Sequence, residues 1–263
     1  MNTLNIYCDG GFGNRYGTLL GGLAVASYHE MHPVVVWRDT SACRLPFNEI
    51  FSSNIDVVDR PLQDFSKSVL LMHEDFIQGV KNYNVNSFRS IEDLPVTECG
   101  SYVYNNNWIP EWMDEHFIIK EGRQLKFIDK IKNFCDQYCE EHSISSFTIG
   151  VHLRATDFNT FIPKFDKEYK WIESQPHQKF FVLSDDESTE QKFNKLDNVI
   201  VREKDHYVEK VNENASWCGN VERTKESVVD SLIDLTILSK TNIIINSPSS
   251  FLKTSLLLKK ING

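Results

Sequence analysis

The residues best equipped for chemistry stand where apolar segments end. The stretch FTIGVHLRATDF, residues 147–158, is a plain strand pattern that closes on His152, Arg154 and Asp157, spaced H-x-R-x-x-D. KFFVLS, residues 179–184, runs into Asp185 and Asp186, and NIIIN, residues 242–246, runs into a serine-rich stretch that includes Ser247, Ser249 and Ser250. A guanidinium brings a fixed charge and a fork of donors, which suits a diphosphate. Ser249 and Ser250 at a helix start would add hydroxyls to free backbone N–H groups and a positive dipole end, a second anion-binding element. Simple helix capping is the competing reading of those serines. Asp185 and Asp186 precede a helix, so they read either as a capping pair or as acceptors for ribose hydroxyls.

Two further groups belong with these. Asp230 and Asp234 lie one turn apart on an otherwise apolar helix, VVDSLIDLTILS. A carboxylate at 234, flanked by Ile233, Leu235, Ile237 and Leu238, is either buried and paired or reads the donors of a ligand. Near the start, DGGFGNR is a glycine-rich turn between strand and helix, where Gly11 and Gly13 let backbone approach a ligand and Asn14 and Arg15 supply polar groups. Its spacing departs from the dinucleotide G-x-G-x-x-G.

The elements that position these residues alternate. Strands are expected at 4–8, 33–37, 55–59, 68–72, 147–153, 179–184, 198–201 and 242–246. Helices are expected at 16–30, 122–142, 166–174, 187–196, 224–240 and 251–260. The helix at 122–142 presents Leu125, Ile128, Ile131, Phe134, Cys135 and Tyr138 on one face. Repeated β-α-β alternation implies an α/β fold of parallel sheets with helices on both faces, here two Rossmann-like lobes over 1–130 and 131–263. In such sheets ligands bind beyond the carboxyl ends of the strands.

Composition narrows the function. A net charge of −9 over 263 residues argues against a nucleic-acid partner, which would need clustered Lys and Arg. The longest apolar run, in TLLGGLAVASY, is too short for a membrane span, and no basic leader precedes the first strand pattern, so a cytoplasmic protein is expected. None of the six cysteines forms a C-x-x-C pair, and Cys135 and Cys139 read as free buried thiols. The sequon at Asn214–Ser216 is short enough to be chance. No D-x-D triplet occurs, so no metal is expected. In YVYNNNWIPEW, Tyr102, Tyr104, Trp108 and Trp112 read either as local packing or as platforms for an acceptor sugar.

GGFGNR, HLRATD, FVLSDD and DSLIDLTILSKTNIIINSPSSF, in that order, resemble the fucosyltransferase superfamily, which spans α1,2-, α1,6- and protein O-fucosyltransferases. The likeness covers residues 5–25 and 147–255. It implies a GT-B-like pair of lobes, GDP-fucose as donor with no other cofactor, inversion at the anomeric carbon, no metal, and a glycan acceptor on the N-terminal side. By the same likeness His152 and Asp234 lie at the guanine and Arg154 at the β-phosphate. Asp185 and Asp186 lie near the ribose, and Ser249 and Ser250 bind phosphate. Gly11, Gly13 and Asn14 match the loop that closes over the diphosphate. The sequence departs at Ala155, where many members have a second arginine, and at Arg15, where Gln is usual. Asp157 is the candidate general base, with Glu74, Asp75 or no protein base as alternatives. Other readings are the same fold with another nucleotide sugar, a nucleotide-sugar-binding or partner-binding module without catalysis, and an NAD-dependent dehydrogenase, which the missing glycine spacing weakens.

Overall fold

Short runs of β-branched and aromatic residues build two parallel sheets, one in each of two units. The structure, a computed structural model, describes residues 2–61, 69–72, 84–87, 101–104, 109, 113–156, 164–212, 221–244 and 249–263. Met1–Thr40 and Pro46–Ile128 with Asn262 form the first unit; Ser41–Leu45 and Asp129–Ile261 with Gly263 form the second. Asp157, Glu74, Asp75, Ser247, Trp108, Trp112, Asn214, Ser216, Cys99 and Cys218 lie outside the described residues.

The first unit comprises β1 (Thr3–Cys8), α1 (Phe12–Tyr28), β2 (His32–Trp37), β3 (Asp56–Val58), β4 (Val69–Met72), β5 (Asn84–Ser87), β6 (Ser101–Tyr104) and α2 (Glu115–Gly122). Its strands run parallel in the order β3-β2-β1-β6-β4-β5. A strand covered on both faces is a continuous apolar run, and β1 is buried throughout from Leu4 to Cys8. The double glycine of α1 serves close packing. A Cβ on Gly22 would lie 2.5 Å from the Ile6 side chain, and one on Gly21 would lie 2.6 Å from the Tyr104 hydroxyl. Tyr102 and Tyr104 are fully buried in β6, which overturns the reading of these two as acceptor platforms.

The second unit comprises α3 (Asp129–Glu141), β7 (Ile149–Leu153), α4 (Asp166–Glu173), β8 (Phe180–Ser184), α5 (Glu187–Phe193), β9 (Val199–Ile200), β10 (Glu209–Lys210), β11 (Val221–Glu222), α6 (Lys225–Ser239), β12 (Asn242–Ile244) and α7 (Ser250–Asn262). The expected helix over 122–142 is shorter than its periodicity suggests. Between Arg123 and Ile128 the backbone leaves the helix to pair with 50–52: Ser52 N–H donates to Lys126 O, and Ile128 N–H to Ile50 O. Within the helix the buried face is Ile131, Cys135 and Cys139, and Phe134, expected on it, is 44% exposed.

The four-stranded sheet of this unit runs β12-β7-β8-β9, all parallel. Val151, Leu153, Phe180 and Val182 fill one face together with Ile172 and Phe193. On the other face Gly150 admits the chain after α6. A Cβ there would fall 2.1 Å from Thr241 Oγ1, a group held by its bond to Leu238 O at 2.7 Å. Gly150→Ala is therefore expected to destabilise the unit by about 1–3 kcal/mol through overpacking. Thermal unfolding checks this, and an unchanged midpoint would contradict the close approach.

Candidate functional site

From β7 the chain winds outward to β8 and β9, then crosses back to lay β12 on the far side of β7. The winding reverses between β7 and β12, and such a switch point opens a crevice at the carboxyl ends of the strands. The H-x-R motif leaves β7 there, and Ser249 and Ser250 open α7 just beyond β12. Ser249 is the N-cap of α7, its hydroxyl accepting from Leu252 N–H at 3.1 Å, while Ser250 is half-buried in the first turn. The capping reading of Ser249 thus holds.

His152 is buried, its ring nearly parallel to that of Phe251 in α7 with centroids 4.7 Å apart. Burial pushes its pKa down to about 4; Asp185 opposes the shift and Arg154 reinforces it. The ring is neutral at pH 7. Because the unfolded chain binds a proton below about 6.5 that the folded protein refuses, the stability this neutral ring contributes is complete above pH 6.5 and is lost as pH falls toward 4. His152→Phe is expected to flatten the acid limb of the stability profile between those values, by at most about 3 kcal/mol. Denaturant titrations at pH 7 and pH 4.5 read the difference; equal slopes in both proteins would refute it.

The turn after β7 is held from β8. The Ser184 hydroxyl donates to Leu153 O at 2.7 Å. Asp185 accepts from Ala155 N–H at 2.6 Å and from Thr156 through both its N–H and its hydroxyl. Arg154, half-buried, therefore sits between two residues whose backbones are fixed by consecutive residues of the neighbouring strand end. Ala155, where many fucosyltransferases have arginine, is fully buried against this brace. Asp186 is the N-cap of α5, accepting from Thr189 N–H at 2.7 Å and from the Ser188 hydroxyl.

Asp234 is 3% exposed and ion-paired on both oxygens: Arg202 Nε donates to Oδ1 and Lys204 Nζ to Oδ2, each at 2.7 Å. Arg202 also grips Asp230, and Lys204 reaches Glu190 Oε1 at 2.7 Å. Burial works to raise the Glu190 pKa, yet its oxygens accept from Lys204, Ser184 N–H and the Tyr207 hydroxyl. Burial wins, so the Glu190 pKa stands above the usual carboxylate value even with three of its four acceptor positions filled. Burial also works against a charged Lys204, but Asp234 and Glu190 outweigh it and hold its pKa above the usual value. Sequence reasoning missed Arg202, Lys204 and Glu190. The available signal was the alternation VREK after β9, which puts two cations on one side of an extended chain, near a helix with a buried carboxylate to satisfy.

In the first unit, Gly10 adopts φ 76°, a left-handed conformation suited to glycine, and Gly11 is the N-cap of α1, with Gly13 and Asn14 in the first turn. Arg15 is not offered to a ligand. Its fully buried guanidinium donates to Gly10 O, Arg38 O and the Thr40 hydroxyl at 2.7–2.8 Å and lies 5.0 Å over the Trp37 ring. It clamps the glycine turn from within. The described residues include no group of three or more His, Cys, Asp or Glu able to hold a metal, and no helix long and apolar enough to cross a membrane.

The two Rossmann-like units define a GT-B-type α/β fold. It is the fold of solved fucosyltransferases. NodZ α-1,6-fucosyltransferase co-crystallised with GDP is 15% identical, with a TM-score of 0.60 over 97% of this chain and 92% of that one. The Bradyrhizobium NodZ gives 17% and 0.63 over 97% and 91%. POFUT1 in complex with GDP-fucose gives 13% and 0.54 over 100% and 94%. No family model matches the chain, and no curated protein matches it.

Proposed function

We propose that the protein is a glycosyltransferase that transfers fucose from GDP-fucose to a hydroxyl of a glycan or glycolipid precursor, with inversion and without a metal. The observation that carries this reading is the switch point of the second unit, where the turn bearing Arg154 and the N-terminus of α7 leave the two strands flanking one crevice. In this reading Arg154 and the α7 N-terminus, with Ser249 and Ser250, take the charge that develops on the departing diphosphate. His152 and Asp234 face the base and Asp185 and Asp186 the ribose. Asp157 is the base that activates the acceptor.

Asp234 enters this site already paired. Each carboxylate oxygen accepts two hydrogen bonds, so contact with guanine uses the capacity that Arg202 and Lys204 leave. The fold of GDP- and GDP-fucose-bound NodZ and POFUT1 structures supports the choice of donor.

Calorimetry in EDTA with GDP, GDP-fucose, GDP-mannose and UDP-glucose tests the reading. Binding of GDP and GDP-fucose in preference to the uridine nucleotide is expected. Preference for UDP-glucose, or a strict metal requirement, would overturn the donor or the metal-free chemistry. Binding of GDP-fucose with neither transfer nor slow donor hydrolysis would leave a binding module.

A further inference from the structure

The turn that carries Arg154 is braced by Ser184 and Asp185, and Ser184 is itself braced from a third direction. Its carbonyl accepts from Lys204 Nζ at 2.8 Å, and its N–H donates to Glu190 Oε1 at 2.7 Å, the same oxygen that Lys204 grips. The third proton of the ammonium goes to Asp234 on α6. An ammonium has three donors, and here all three are spent, with the side chain only 6% exposed. One charge thus ties α5, α6 and the end of β8 together at the point from which β8 fixes the neighbouring turn.

The geometry points to Lys204 as a positioning residue of the donor site: by locking Ser184 against Glu190 and Asp234, it fixes through Ser184 and Asp185 the turn that sets Arg154 for the β-phosphate. The inference rests on the donor reading above and adds to it the group that holds Arg154 in register. Lys204 makes no contact with substrate in this account. Its action passes through Leu153 O, Ala155 N–H and Thr156, the backbone groups on either side of Arg154.

Lys204→Met removes the hub but strands two carboxylates, so Lys204→Met/Glu190→Gln is made beside it; it discharges both partners, and Arg202 remains to pair Asp234. Two readouts are taken on the folded variant. In amide exchange, protection at Ala155 and Thr156 is expected to fall about tenfold, with strand amides of the first unit such as Val35 unchanged. In calorimetry, GDP affinity is expected to fall about tenfold while GMP affinity, which lacks the β-phosphate contribution, stays within about twofold. A role limited to stability would not separate the two nucleotides. Unchanged protection at Ala155 and Thr156 overturns the inference even when GDP binds, and so does an equal loss for GDP and GMP. If the parent protein binds neither nucleotide, the donor reading fails and the inference falls with it; the exchange result, which needs no ligand, tells that failure from failure of the hub.

Discussion

In the proposed reaction Arg154→Ala is expected to lower fucose transfer about a thousandfold while leaving the unfolding midpoint of the protein almost where it was. The size follows from the chemistry assigned to the residue. Breaking a sugar–diphosphate bond leaves negative charge on the β-phosphate, and removing one preorganised donor aimed at such charge costs roughly 10²–10³ in rate. A charged, forked donor belongs at the upper end. The small effect on stability follows from the brace. The turn is held through Leu153 O, Ala155 N–H and Thr156 by Ser184 and Asp185, all of which the substitution leaves in place. Arg154→Lys, keeping charge without the fork, should fall between the two. Initial rates with GDP-fucose and a thermal melt decide it. A variant keeping a third of the parent rate would remove Arg154 from the chemistry, and one that fails to fold would make it a structural residue.

Much of this was legible in the strands. Parallel sheets bury both faces, so IGVHL and FFVLS advertise themselves as apolar runs and the polar residues after them mark the carboxyl ends. The strand order was not legible, and it is the order β12-β7-β8-β9 that makes the ends of β7 and β12 a switch point. Helix limits failed where periodicity outran the helix. Leu125 and Ile128 keep the apolar rhythm of α3, but pairing with Ile50 and Ser52 draws 126–128 out of the helix, a tertiary competitor that no local pattern contains.

Charged residues were harder because sequence shows charge without partners. Arg15 follows a glycine-rich turn and reads as an exposed ligand contact, yet carbonyls of Gly10 and Arg38 satisfy it in complete burial. Asp234 left a choice between pairing and recognition, and its cations come from 30 and 32 residues away. Tyr102 and Tyr104 left a choice between packing and acceptor stacking, and pairing of β6 with β1 settles it for packing, with both in the core.

The largest expected loss of stability belongs to Arg202→Met. The guanidinium, 6% exposed, holds Asp234 through Nε and Asp230 through a carboxylate and a carbonyl contact at 2.9 and 3.0 Å. In the parent, two cations face the carboxylates of Asp230, Asp234 and Glu190; in the variant Lys204 alone remains among them, with His206 3.4 Å from Asp230. Breaking a buried pair by deleting one partner costs about 3–5 kcal/mol because the other charge stays behind, and in a domain of this size each kcal/mol is about 2–4 °C of melting temperature. The deficit should persist at high salt, since buried charges are poorly screened. It should shrink in acid. With one cation fewer beside it, the Glu190 pKa, already raised by burial in the parent, rises further above its unfolded value near 4.5, so stability returns as pH falls toward that value and is lost as pH rises through the raised one. Adding Asp234→Asn should recover part of the loss by removing the stranded charge. Denaturant unfolding of the three proteins at pH 7.5 and pH 5 makes the comparison. A deficit below about 1 kcal/mol, or one indifferent to pH, would mean that Arg202 is a surface-like ion pair and not the keystone of the buried cluster.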